Sequence, residues 1–201
     1  MYNALGEPVA KLRLIRFDNM LTRRVIIILL VLLIITTSLS CTTPSGYTST
    51  FITGLTPGAQ KTSLEEAADI IGVSVPVPTY LPAGFEIQEV YIQDSYEVKL
   101  IISDQEVEDK KQVSPGHYGV QCKMALIVRW LPPGFPDIKI PDGRVEFNGS
   151  AGWFAEHEDH NDLWWNLYET VPPQGFFELV LVAIKEIPKS ELVKVAASVG
   201  W

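Results

Sequence analysis

The feature of the sequence that most constrains the fold is a regular alternation of apolar and polar residues in the middle of the chain. Over residues 96–103 and 120–130, apolar side chains recur at every second position. Side chains on one face of a β-strand have this period of two, so both segments predict strands with one face on a core. The alternation slips near Gln88, which predicts a β-bulge. Pattern and composition predict four more strands, at residues 85–93, 144–155, 163–170 and 176–184.

One helix is predicted on each side of these strands. Residues 63–66 read SLEE, a capping box in which the serine and the second glutamate satisfy the first free amides of a helix. Apolar residues then recur at helical spacing until Gly72. Residues 192–199 repeat this spacing before Gly200. The whole pattern predicts an α+β fold, with a curved antiparallel sheet of about six strands and an N-terminal and a C-terminal helix packed on one face.

An apolar run of eleven residues, Val25–Ile35, directly follows Arg23 and Arg24, and no charged residue follows Cys41 until Lys61. A membrane-spanning helix needs ~20 apolar residues, whereas the core of a signal peptide needs ~7–15. The run therefore predicts a signal peptide, and the alternative is an uncleaved single-pass anchor. In both cases the positive-inside rule places everything after Cys41 outside the cytoplasm.

Two threonines after this run, the sequence reads Ser38-Leu39-Ser40-Cys41, which resembles a bacterial lipobox. The resemblance implies that the thiol of Cys41 carries a diacylglycerol, that residues 1–40 are removed, and that the protein is held on the outer side of the cell membrane. A compact basic, apolar and lipobox series begins at Met20, which predicts that residues 1–19 are an extension of the gene model.

Charge is distributed unevenly along the chain. The first 40 residues hold five basic and two acidic residues, whereas residues 41–201 hold 11 basic and 22 acidic ones. Nucleic acid would repel such an acidic domain, so no nucleic-acid partner is expected. Residues 41–62 are rich in Thr, Ser, Gly and Pro, and we predict that they form the lipidated cysteine and a flexible tether. Residues 63–201 are then the globular extracytoplasmic domain.

The chain has two cysteines, Cys41 and Cys122. If Cys41 is lipidated, Cys122 has no partner for a disulfide. Cys122 lies on the apolar face of a predicted strand, so we expect a buried and inert thiol.

The segment from residue 66 to 92 resembles the opening of a bacterial family of extracytoplasmic domains, domain of unknown function 4367. The residues that carry the resemblance are Pro78, Leu81, Pro82, Gly84 and Phe85, followed near the other end by Leu192, Lys194, Ala196 or Ala197, and Ser198. Members of this family occur as lipoproteins and as the outer domains of anti-sigma factors. The resemblance implies a sensing or scaffolding role and brings no catalytic residues.

Aromatic residues in the predicted strands suggest a site for an apolar ligand. Trp164 and Trp165 are adjacent in one strand, so their side chains point to opposite faces. Trp165 fits the core face, which leaves Trp164 and Tyr168 on the other. We consider a carrier site for an apolar molecule near Trp164, Tyr168 and Phe154. The alternative, which core statistics favour, is that the Pro-rich segment 131–143 covers these rings.

Residues 156–162 read EHEDHND and contain His157, Glu158, Asp159, His160 and Asp162. Neutral imidazoles and carboxylates are metal ligands, but their spacing here matches no helical zinc motif. We favour a solvated hairpin loop without a metal, and weak calcium binding is the sharper alternative. A metal-assisted hydrolase centred on His157 and His160 is the least favoured function.

No motif of a hydrolase elbow, a phosphate-binding loop or a zinc protease is present in the sequence. The function we expect is therefore that of a non-enzymatic domain, without a cofactor, that binds or senses a component of the cell envelope. An apolar ligand or an envelope protein is the expected partner, in addition to the membrane itself.

Overall fold

The computed structural model describes residues 46–132, 143–168 and 175–200, of which the side chain of Tyr168 is left out. The strands are β1 (Phe51–Leu55), β2 (Gln60–Thr62), β3 (Val77–Pro78), β4 (Glu86–Gln93), β5 (Glu97–Ser103), β6 (Lys111–Ser114), β7 (His117–Cys122), β8 (Met124–Leu131), β9 (Arg144–Phe147), β10 (Ser150–Glu156), β11 (His160–Tyr168), β12 (Phe176–Ile184) and β13 (Val199–Gly200). The helices are α1 (Leu64–Ile71) and α2 (Lys189–Ala197). Cys41, the predicted site of lipidation, lies outside the described residues. Within the described part, no helix combines the length and the hydropathy needed to cross a bilayer.

Eight strands form one large antiparallel sheet, in the order β2-β4-β5-β8-β12-β11-β10-β9. Strands β1, β7 and β6 form a separate three-stranded sheet, with β7 in the middle, and β13 pairs with β3. The predicted α+β fold with about six strands is therefore wrong, because the chain is mostly β and its strands form a large and a small sheet. Each predicted segment contains strand, but segments 120–130 and 144–155 each hold two strands in place of one. The shift of register between Ile87 and Glu89 confirms the bulge near Gln88.

One physical reason for this difference is that the expected tether takes part in the fold. Residues 51–55 pair with β7, and residues 60–62 pair with β4. Leu55 and Ala59 are buried between the sheets although their neighbours are threonine, glycine and proline. The buried positions of this segment cannot be recognised from its composition, because isolated Leu and Ala residues in a Thr- and Gly-rich stretch make no periodic pattern.

A second reason is that the predicted strand at 120–130 is two strands that belong to different sheets. Cys122 packs in the cluster between the two sheets, whereas Met124 packs on the other side of the large sheet, among the residues under the helices. Lys123 lies between them, where the chain passes from the small sheet to the large one. Its side chain is 1% exposed, its Nζ atom lies 2.7 Å from Oδ1 of Asp104, and it donates a hydrogen bond to the backbone oxygen of Tyr47.

The two helices cover one face of the large sheet, which we call the helix face. Ser63 caps α1 through the predicted capping box, and Gly72 ends the helix in a left-handed conformation. Helix α2 ends at the C-cap Ser198, earlier than predicted, because Val199 and Gly200 form β13. The helix face is built from one cluster of buried residues that includes Leu100, Leu126, Leu163, Trp165, Phe177, Leu179 and Leu181 with Ala67, Leu192 and Val195 of the helices.

The small sheet packs on the opposite face of the large sheet, which we call the small-sheet face. Tyr91, Ile101 and Ala125 of the large sheet contact Val120 and Cys122 of β7 in this second cluster. Cys122 is buried and has no disulfide partner among the described residues, as the sequence predicted. Its burial raises the pKa of the thiol to about 12, because a thiolate would be cut off from water.

Charged residues also form a row on the small-sheet face. Glu97 of β5 lies opposite Arg129 of β8, which in turn lies opposite Glu178 of β12. Arg129 donates to Glu97 from Nε and to Glu178 from Nη1, the second at 2.7 Å. Burial tends to lower the pKa of the guanidinium, but the two carboxylates outweigh it and raise that pKa above its ordinary value. The guanidinium of Arg129 therefore lies between two carboxylates that are mostly shielded from solvent.

Candidate metal site

The candidate site lies at the tight end of the β10–β11 hairpin. Residues 157–159 connect the two strands, and the backbone amide of His157 donates to the carbonyl oxygen of His160 at 2.9 Å. Alternation along β11 places the side chains of His160 and Asp162 on one face, opposite to that of Leu163. Because Leu163 belongs to the helix face, His160 and Asp162 belong to the small-sheet face.

Three side chains of this hairpin converge on one point. The Nε2 atom of His157 lies 3.3 Å from Oδ2 of Asp162, and the Nε2 atom of His160 lies 3.5 Å from Oδ1 of the same carboxylate. One ligand atom from each of the three residues lies within 4.8 Å of the other two. The imidazole rings of His157 and His160 are stacked, with centroids 4.4 Å apart and planes inclined by 19°.

These spacings fit a tetrahedral metal ion. When the metal–ligand bonds are about 2.0–2.2 Å long, neighbouring ligand atoms of a tetrahedron are about 3.3–3.6 Å apart. The two distances from Asp162 to the imidazole nitrogens fall in or at this range. The two distances run to different oxygens of the carboxylate, and the three ligand atoms lie within 4.8 Å of one another, so the side chains must rotate to close a shell around one cation.

Asp159 holds one of the imidazoles in the form that a metal requires. The Nδ1 atom of His160 lies 2.6 Å from Oδ1 of Asp159, so this nitrogen donates its hydrogen to the carboxylate. In a neutral imidazole the lone pair is then on Nε2, the nitrogen that faces Asp162. Carboxylates in this outer position are common partners of metal-binding histidines. The same hydrogen bond holds the pKa of Asp159 below its ordinary value.

The burial of the three residues gives the site a closed base and an open side. Asp162 is only 9% exposed, and its Oδ1 atom is buried with no hydrogen-bond partner in the structure. The side chain of His157 is 44% exposed and that of His160 is 28% exposed. A buried carboxylate oxygen without a partner costs free energy, which a cation or a protonated imidazole would offset. Solvent reaches the site from the His157 side.

The donor set indicates which class of metal the site would hold. Calcium and magnesium prefer sites made of oxygen ligands, whereas imidazole nitrogens suit zinc, copper, nickel and iron. Two imidazoles and one carboxylate therefore fit a divalent transition metal better than the calcium ion considered from sequence. A hairpin connection is present, but it spans only residues 157–159, and the predicted solvated loop over 156–162 is wrong at its end because Asp162 is buried in β11. The register of the hairpin brings together ligands that the spacing in sequence did not.

A residue far away in sequence also contacts this site. The ring of Phe51, the first residue of β1, stacks on the imidazole of His160 with centroids 6.3 Å apart and planes inclined by 20°. Sequence reasoning placed Phe51 in the tether and found no link to the hairpin. Only the pairing of β1 with β7 and the packing of the small sheet bring the two rings together.

The residues predicted to bind an apolar ligand are not brought to one place. Phe154 belongs to the buried cluster of the helix face, and Nζ of Lys189 lies 4.7 Å from the centre of its ring. Trp164 lies on the small-sheet face, opposite Trp153, with ring centroids 6.1 Å apart. Tyr168 pairs with Phe176 through the backbone, and its side chain is outside the description. The helix face holds packed side chains where a carrier cavity was expected.

The covering role considered for segment 131–143 falls mostly outside the described residues. Gly143, at its end, is described: its carbonyl oxygen accepts from the amide of Phe154 at 3.1 Å. The position that a Cβ atom would take at Gly143 is 3.2 Å from the Trp153 ring. This end of the segment therefore runs beside the pair of tryptophans.

No protein-family model, no curated protein and no solved structure matches this chain.

Proposed function

We propose that this chain is an extracytoplasmic, membrane-anchored lipoprotein whose domain binds one divalent transition-metal ion through His157, His160 and Asp162. The observation that carries the proposal is the separation of 3.3 and 3.5 Å between the two Nε2 atoms and the carboxylate oxygens of Asp162. Both separations have the length of a tetrahedral edge around a metal ion, and all three side chains belong to one short hairpin.

The surroundings of the site support binding of a cation. Glu158 and Asp159 lie in the same hairpin loop and add negative charge beside the three ligands. Asp159 selects the tautomer of His160 that offers Nε2 to a metal. Because His160 and Asp162 lie on β11 and His157 directly follows the paired strand β10, little of the backbone has to be reorganised when a cation enters.

Three protein ligands leave at least one coordination position for an exogenous group. In structural zinc sites four protein ligands close the shell, whereas sites with three ligands keep a position for water or another molecule. The exposed ring of His157 marks the side on which that position meets solvent. We therefore infer that the metal ion here is not purely structural. The site would exchange or sense the metal, or present it to a further ligand.

The location in the cell envelope is supported by the sequence alone. Ser38-Leu39-Ser40-Cys41 resembles a lipobox, and the resemblance to domain of unknown function 4367 points to extracytoplasmic proteins that are often lipoproteins. A metal site made of imidazoles and a carboxylate needs no reduced thiol, so it suits an oxidising compartment. Mass spectrometry of the protein extracted from membranes tests the anchor: a diacylglyceryl group on an N-terminal Cys41 is expected, and an intact peptide that spans residues 36–45 would refute it.

Isothermal titration calorimetry of the purified full-length protein in detergent tests metal binding. We expect one equivalent of Zn²⁺ per chain, with binding that weakens in acid because metal ligands bind in their deprotonated forms. Asp162→Asn and His160→Gln should each weaken binding by at least tenfold. His117→Ala is the matched control, because His117 is the third histidine of the chain and is exposed on β7, in the small sheet. Equal affinities in all four proteins would refute the site.

A further inference from the structure

Strand β1 borders the candidate metal site at more than one point. The Phe51 ring stacks on His160, one of the three ligands. Two residues earlier, the hydroxyl of Ser49 donates to the carboxylate of Glu186, just after β12. Ser49 and Asp159 line one surface pocket of about 490 Å³, and Asp159 is the carboxylate that holds Nδ1 of His160. The segment 49–51 therefore contacts both the ligand His160 and the surroundings of its supporting carboxylate.

This strand has fewer strand partners than the hairpin on which it rests. Within the described residues it is an edge strand paired with β7 alone, and Lys99 donates a hydrogen bond to the carbonyl oxygen of its Gly54. Its five residues include the exposed Ile52, and only Thr53 and Leu55 are buried. Edge strands with few buried side chains open locally at a lower free energy than the centre of a sheet. Docking and release of β1 is therefore a local equilibrium that a modest change in contact energy shifts.

A metal ion at His160 changes the contact that β1 makes there. Coordination through Nε2 adds a bond that fixes the plane of the imidazole, which in the free protein is restrained by Asp159 at Nδ1, by Asp162 at Nε2 and by stacking on His157. The stack with Phe51 depends on that plane, because aromatic pairs are favourable only in certain orientations. If metal binding stabilises the docked position of β1, docking of β1 must also increase the affinity for the metal, since the coupling free energy is the same in both directions.

We propose that docking of β1 regulates the metal site, with Phe51 as a positioning residue for His160, and that metal binding in turn locks β1 onto the domain. This inference rests on the proposed function, since it requires metal at His157, His160 and Asp162. Strand β1 is also the first strand after the predicted lipid-bearing Cys41. Occupancy of the metal site thus changes the stability of the element that lies next to the anchor in sequence.

Hydrogen exchange on the full-length protein tests the coupling without any substitution. Amides of β1 should exchange about two- to tenfold more slowly with saturating Zn²⁺, the range that the energy of one aromatic pair predicts. Amides of β6, the other edge of the small sheet, are the internal control and should be unchanged. Equal exchange of β1 with and without Zn²⁺, in a protein that binds Zn²⁺, would overturn the proposal.

A pair of variants tests the role of Phe51 directly. Phe51→Leu keeps an apolar side chain and removes the stack, so its affinity for Zn²⁺ should fall about two- to tenfold with one site per chain retained. Ile52→Ala is the matched control, because Ile52 is on the same strand and is exposed. Wild-type affinity in Phe51→Leu refutes the regulation but leaves the metal site standing. Absence of Zn²⁺ binding in the wild-type protein refutes the proposed function and this inference together.

Discussion

The buried ion pair of Lys123 and Asp104 gives the sharpest prediction for stability. The two side chains are 1% and 2% exposed, and Nζ lies 2.7 Å from Oδ1. Lys123→Met removes the cation but keeps the length of the side chain, so the Asp104 carboxylate loses its charge partner without gaining water. Breaking a pair of this kind costs about 3–5 kcal/mol. For a domain of this size that corresponds to a fall of about 6–20 °C in melting temperature.

Thermal and urea unfolding, followed by tryptophan fluorescence, measure this loss. Lys111→Met is the matched control, because Lys111 forms an ion pair with Glu108 in which both side chains are about two-thirds exposed. Solvent screens that pair, so its removal should change stability by no more than about 1 kcal/mol. The double variant Lys123→Met with Asp104→Asn should be more stable than Lys123→Met alone, since the uncompensated charge is gone. Equal losses in Lys123→Met and Lys111→Met would refute this reasoning.

Two further predictions concern the small-sheet face. Because the pKa of Cys122 is about 12 in the folded protein, the folded state keeps a proton that the unfolded chain releases above about pH 8.5, so Cys122 contributes full stability below that pH. Above it, the free energy of unfolding from urea titrations should fall by up to about 1.4 kcal/mol per pH unit, and Cys122→Ala should lack this part of the slope. Arg129→Met should cost about 2–3 kcal/mol in the same assay, less than a fully buried pair because the side chain of Arg129 is partly exposed, and adding Glu178→Gln should recover some of the loss.

The local elements of this fold are readable in the sequence because each depends on neighbouring residues. The capping box at Ser63 and the left-handed Gly72 need only the few residues around them. The bulge near Gln88 is visible as a slip in an otherwise regular alternation. Burial of Cys122 follows from its position in an alternating segment.

The assignment of strands to sheets is a different problem. The alternation through Cys122 and Met124 looks continuous, yet the two side chains face different cores, because the chain changes sheets at Lys123. An alternation with a period of two indicates that one face of a strand is buried, but it does not indicate which part of the protein covers that face. From the sequence alone, a lysine between two strands indicates an exposed position. Here the side chain of Lys123 is buried, because it forms an ion pair with Asp104. The prediction of about six strands in one sheet was wrong for this reason and because the expected tether supplies β1 and β2.

The candidate site was visible as a composition but not as a geometry. Residues 156–162 contain all the ligands, and we favoured a solvated loop because their spacing fits no helical motif. On a hairpin the ligands meet across the turn, so His157 and Asp162 approach each other although five positions separate them. The contact of Phe51 with His160 had no signal in the sequence, since it depends on the packing of one sheet on another.

The central claim is that two imidazoles and one carboxylate of the β10–β11 hairpin bind a single transition-metal ion. X-ray absorption at the zinc edge, on the full-length protein loaded with one equivalent of Zn²⁺, measures that coordination shell directly. We expect a shell of four nitrogen or oxygen atoms at about 2.0–2.2 Å from the zinc ion. Outer-shell scattering should show two imidazole rings in the wild-type protein and one ring in His160→Gln. A shell of six oxygens, a sulfur ligand, or a spectrum unchanged in His160→Gln would contradict it.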